Sequence, residues 1–114
     1  MRVEYDRLDA QEDYRVTYNG KLFTGIAFEQ DADGRLLSEV TFVNGVEEGI
    51  SRLYYLSGQL QREEYLHSGG YKGWWRRWYE SGQLEEERLY DEHQLLVRER
   101  VWNRSGDLVR DWSV

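Results

Sequence analysis

Three serines, two histidines and many carboxylates are the side chains with which this sequence could run a reaction. Ser57, Ser81 and Ser105 stand 24 residues apart, and each directly precedes a glycine, at 58, 82 and 106. Ser-Gly between two strand-like runs is turn chemistry, because glycine accepts the positive φ that such turns need. The serines therefore read as corners, not nucleophiles. His67 and His93 lie in or beside turns between repeats, and neither has a nucleophile in a recognisable arrangement. Carboxylates abound, with 22 Asp and Glu among 114 residues, but a thin sheet has no deep pocket to shift their pKa values. There is no cysteine and no spaced ligand set, so neither a metal nor a cofactor is expected. The "KG" at Lys72–Gly73 is not a phosphate loop, since no helix follows it. The expectation is a protein that is not an enzyme.

What remains is non-covalent recognition. The densest aromatic patch is "GWWRRWYE", Gly73–Glu80, and the densest acidic run is Glu85–Glu87, with Glu80, Asp91 and Glu92 close by. Rings of this kind anchor interfaces, and acids meet basic partners. The candidate contacts are Trp74, Trp75, Tyr79, Glu85, Glu86 and Asp91. A plainer reading makes the rings the core of a thin sheet, and the acids a solvated face with one rung of a charge ladder.

The elements that must position these residues repeat. The turn glycines Gly34, Gly58, Gly82 and Gly106 follow one another at 24-residue steps, and each has a leucine two places on: Leu36, Leu60, Leu84 and Leu108. A second glycine column, Gly25, Gly49 and Gly73, ends at Val97. Four copies in phase predict an all-β fold: a single-layer twisted antiparallel meander sheet built from four 24-residue β-hairpin repeats. The expected strands are 14–18, 22–30, 36–43, 49–56, 59–66, 73–80, 83–90, 96–103 and 107–113, with one more strand possible in 1–9. Residues 1–114 form one domain, with 1–17 an N-terminal cap and 18–114 the repeats. A two-residue Ser57-Gly58 loop puts Tyr55 opposite Leu60, Tyr54 opposite Gln61, Arg52 opposite Glu63 and Ile50 opposite Tyr65. The same count sets Arg76 against Glu87 and Arg100 against Asp111, while Phe28 faces Glu39. These charge pairs pin the register, because a one-residue slip reverses every side chain.

Composition narrows the partner. A formal net charge of −7 opposes nucleic acid and anionic lipid and suits a basic protein. Aromatic residues at 15% are too many for a disordered acidic tail. The N-terminus "MRVEYDRLDAQED" does not read as a signal peptide, and no apolar run approaches a membrane span, so the expected location is the cytoplasm.

The stretch "GISRLYYLSGQLQREEYLHSGGYKGWWRRWYESGQLEEERLY", Gly49–Tyr90, resembles the MORN-repeat variant, whose units read approximately G-x-W-x-x-Y-Y-x-N-G-Q-L-x-x-E. Gly58, Gln59, Leu60, Gly82, Gln83 and Leu84 match best, with Glu63 and Glu87. The resemblance runs roughly from Tyr18 to Val114. The family's turn Asn is Ser at 57, 81 and 105, Asp107 replaces Gln, and Arg98 stands where Trp is common. The resemblance implies a bacterial antitoxin or an immunity protein of a polymorphic toxin. Such a protein would bind and occlude a basic toxin, with a nuclease inferred from the charge. The alternative it implies is a scaffold or membrane-associated interaction protein. A third reading, from the open strand edges, is a self-assembling module.

Overall fold

A computed structural model describes all 114 residues. Five short elements come first: β1 (Arg2–Glu4), a 3₁₀ turn at Tyr5–Arg7, β2 (Asp9–Ala10), β3 (Val16–Tyr18) and β4 (Lys21–Leu22). The meander then runs through β5 (Gly25–Gln30), β6 (Leu36–Val43), β7 (Val46–Tyr54), β8 (Leu60–His67), β9 (Gly70–Trp78), β10 (Leu84–Tyr90), β11 (Leu96–Trp102) and β12 (Leu108–Ser113). The large sheet has nine strands in the order β1-β5-β6-β7-β8-β9-β10-β11-β12, and β2, β3 and β4 form a small second sheet. The expected all-β antiparallel meander is present. At its N-terminal edge β1 joins β5 in parallel, and the expected strand 22–30 is broken between Leu22 and Gly25.

Two in-register rows cross all nine strands on opposite faces. One row is Glu4, Phe28, Glu39, Arg52, Glu63, Arg76, Glu87, Arg100 and Asp111. From Glu39 onward acid and base alternate without a break. The three Arg–acid pairs read from the sequence are here, and every residue of them except Asp111, on the edge strand, also faces a partner in the adjacent hairpin. Arg52 Nε lies 2.8 Å from Glu63, and Arg76 Nε lies 2.8 Å from Glu87. Exposed pairs of this kind contribute ~0.2–1 kcal/mol each, and their alternation opposes any register that sets like charges face to face.

The other row is Val3, Ala27, Val40, Ser51, Glu64, Trp75, Arg88, Glu99 and Trp112. It is apolar at its start and polar with rings thereafter. The second layer follows this gradient. Val3, Phe23, Ala27 and Phe42 form the buried core, and Tyr5, Leu8, Val16, Tyr18 and Val40 pack against it. The small sheet thus covers the apolar end of the row. Past that end the sheet is one layer thick, and guanidinium–ring stacking replaces the core: Arg88 lies 4.5 Å and Arg77 5.6 Å from the Trp75 ring.

The hairpin corners correct the two-residue loop. In the corner at residues 55–59, Gly58 N–H donates to Tyr55 O, and Tyr55 N–H donates to Gln59 O, both at 2.9 Å. Only Gly58, and not Ser57, has positive φ. This is a type I turn followed by a left-handed residue, so Tyr54 faces Leu60 instead of Gln61. The bulge ends before Leu53, which leaves Arg52–Glu63 and Ile50–Tyr65 paired as expected. Two of the turns between hairpins are the true two-residue loops, with positive φ at both Asn44 and Gly45 and at both Ser68 and Gly69, whereas the third, at residues 91–95, repeats the corner pattern. They let β7 and β9 begin at Val46 and Gly70, three residues earlier than the glycine column suggests.

Candidate partner-binding groove

The second glycine column shapes an open site on the sheet. Gly73 has φ +78, and a Cβ there would meet nothing within 4 Å, so glycine is required for its backbone and not for space. Its conformation lets three residues of β9 oppose one of β8. Trp75 pairs with Glu64 and Tyr71 with Leu66, which sets Tyr65 against Lys72, Gly73 and Trp74. Gly49 does the same one repeat earlier, where Val40 pairs with Ser51 and Phe42 with Glu47, leaving Thr41 opposite the bulge.

Between these two bulges lies a groove of about 770 Å³. Tyr65, 41% exposed, and the half-buried Trp74 form an aromatic floor. The Arg76 guanidinium lies 4.6 Å from the Trp74 ring and holds it in place. Glu48, Asp91 and Glu92 form an acidic rim, with Lys72 and His67 beside them. Two of the acids are fixed by turns, Glu48 by the neighbouring β8–β9 turn and Asp91 by its own. Glu48 accepts the Ser68 N–H at 2.8 Å and lies 2.8 Å from His67 Nδ1; chiefly the backbone donor, then His67, holds its carboxyl below the ordinary range. Asp91 accepts N–H groups of Leu95 at 3.0 Å and His93 at 2.8 Å, and the Leu95 bond foremost lowers its pKa. Both rim acids are therefore charged and oriented before any partner arrives. An aromatic floor with a negative rim can take a Lys or Arg side chain, stem on the rings and head among the carboxylates.

Of the six sequence candidates, this groove gathers Trp74 and Asp91. Trp75 and Glu86 are 5% and 7% exposed on the opposite face, and side chains so buried offer a partner almost no surface. Glu86 accepts from Arg77 Nη2 at 3.1 Å and meets Arg88 Nε at 2.5 Å. Glu85 is held by Arg77 Nε at 3.0 Å. The Tyr79 hydroxyl donates to Trp102 O at 2.8 Å, just as Tyr55 donates to Trp78 O at 2.7 Å, so both tyrosines staple one hairpin to the next. Sequence reasoning missed Tyr65, Lys72 and Glu48 as site residues. Their only signal was their place around the second glycine column, and reading it required knowing that the glycines form bulges.

The MORN repeat variant model matches residues 47–67 and 73–92. These units are MORN repeats. The matched repeats supply every strand of the groove, and repeats of this kind suggest a repeat-based protein-interaction scaffold. No curated protein matches the chain. A solved structure described as "Crystal structure of GtfA/B complex bound to UDP and GlcNAc" aligns at 10% identity and TM-score 0.42. The alignment covers 96% of this chain and 26% of that one, so the chain spans about a quarter of the other's length. No helix of this chain is long and apolar enough to cross a membrane.

Proposed function

We propose that this protein is an immunity protein or antitoxin, which binds a cognate bacterial toxin in the cytoplasm and covers its active-site or substrate-binding cleft. The reading rests on the groove: fixed carboxylates around an aromatic floor, on a repeat scaffold of net charge −7. A basic toxin domain complements that surface. A nuclease is the favoured class, because its cleft must be positive to hold phosphates. Charge steers the encounter, while Trp74 and Tyr65 slow dissociation. Covering a cleft requires no catalytic group and no cofactor on this chain.

The test is co-expression with the product of the adjacent gene. That product is expected to be lethal alone and harmless beside this protein. Trp74→Ala with Asp91→Asn is expected to weaken binding at least about tenfold and to abolish rescue. Unchanged rescue and affinity in a folded double variant would exclude the groove. The scaffold alternative is decided by sedimentation with phosphatidylserine vesicles at physiological salt. The net charge predicts no binding, and firm binding would favour membrane association.

A further inference from the structure

We propose that Tyr14 is a second anchor for the same partner, a ring held out to enter an apolar socket edged by lysine or arginine. Six corners of this chain share one backbone pattern, at residues 11–15, 31–35, 55–59, 79–83, 91–95 and 103–107. In each, the fourth residue donates to the first and has positive φ. Four of these slots hold glycine: Gly34, Gly58, Gly82 and Gly106. The other two hold Gln94, at φ 64, and Tyr14, at φ 67. Side chains larger than glycine are strained there, and a bulky one is a rare outlier.

Gln94 has a structural return. Its amide donates to His67 O at 2.6 Å and lies against Gly70, tying two neighbouring turns together. Tyr14 has none, because it is 92% exposed. Yet its mount is rigid. Asp13 accepts Arg15 N at 3.1 Å and Arg15 Nε at 2.6 Å, Gln11 donates to Thr17 Oγ1 at 3.0 Å, and Val16 N–H donates to Gly45 O at 2.9 Å. A strained residue on a braced corner, buried against nothing, is pre-organised for something outside the molecule. Glu12 and Asp13 precede the ring, and Arg15 follows it and pairs with Asp13, so Glu12 is the acid that selects a basic lip for the socket. The corner leans on Gly45, the turn that leads into β7 and so to Glu48 and Gly49 of the groove. Tyr14 and the groove therefore share one end of the sheet but stand on opposite faces of it, so a partner that holds both closes around that end. This inference rests on the toxin-binding reading for the identity of its partner.

The experiment places the photo-crosslinker p-benzoylphenylalanine at position 14, and separately at position 65, in the full chain co-expressed with the adjacent toxin. An adduct with the toxin at position 14 is expected. Tyr14→Gly is expected to raise the melting midpoint by about 4 °C while weakening toxin binding at least about tenfold; Tyr14→Phe should keep both near wild type. No adduct at 14, unchanged affinity in Tyr14→Gly, or a midpoint that does not rise each overturns the proposal. An adduct at 65 alone leaves the groove and removes Tyr14. An adduct at 14 alone does the reverse, and adducts at neither position end both.

Discussion

Trp74 and Trp75 are adjacent, and the pleat gives them opposite work. Trp75 is buried between two guanidinium groups, whereas Trp74 floors an open groove. Trp75→Ala should cost about 3–5 kcal/mol in urea denaturation, the range for a buried tryptophan. Trp74→Ala should cost far less stability and act mainly on partner affinity. Equal stability losses would show that both rings are core. Glu64 supplies a pH test. Burial is the largest cause of its raised pKa, and Arg62, 3.2 Å away, pulls in the opposite direction. Between the ordinary glutamate range and the raised folded value, the native state keeps a proton that the unfolded chain releases. Stability from this group therefore falls as pH rises through that window. Glutamine does not titrate, so the stability of Glu64→Gln relative to wild type should rise from about pH 4 to about pH 7. A constant difference in urea midpoints would mean that the carboxyl is unperturbed.

Among elements, the hairpin corner defines the repeat, and its glycine matters more than its serine. Gly82 has φ +93, and a Cβ there would lie 3.3 Å from Gln59 Oε1 in the preceding corner. Gly82→Ala should lose about 1–2 kcal/mol, the cost of a left-handed backbone for an L-residue. Ser81 contributes one long contact, 3.4 Å from its Oγ to Gln83 N, so Ser81→Ala should stay within about 0.5 kcal/mol. Thermal unfolding of the two variants separates backbone conformation from side-chain bonding. The same distinction explains why the sequence placed the corners correctly but named their type wrongly. Ser-Gly marks a reversal equally well whether the serine has positive or negative φ, and only the coordinates show which.

Across the whole molecule, stability should be graded. The principal-axis extents are 48 × 39 × 20 Å, and the buried core lies at one end of that slab. Every residue of β12 is exposed, while β5 and β6 contribute Ala27 and Phe42 to the core. Amide hydrogen exchange should be slowest in β5 and β6 and fastest in β12, with intermediate rates between. Uniform protection would mean one cooperative unit instead of additive repeats. The gradient also places the groove midway, on strands firm enough to hold its rim.

The sequence by itself determined the eight strands of the four hairpins, the 24-residue period and the charge register, because pleat and turn glycine are local and periodic, whereas the expected strand 14–18 joins the small sheet. It also supplied the Trp74 and Asp91 candidates. Tertiary structure alone decided which side chains lie open. Bulges at Gly49 and Gly73 carry Tyr65 and Glu48 into one groove, and the small sheet covers one end of one face. Both effects depend on what neighbouring strands place opposite a residue, and that pairing is not contained in the residue's own spacing.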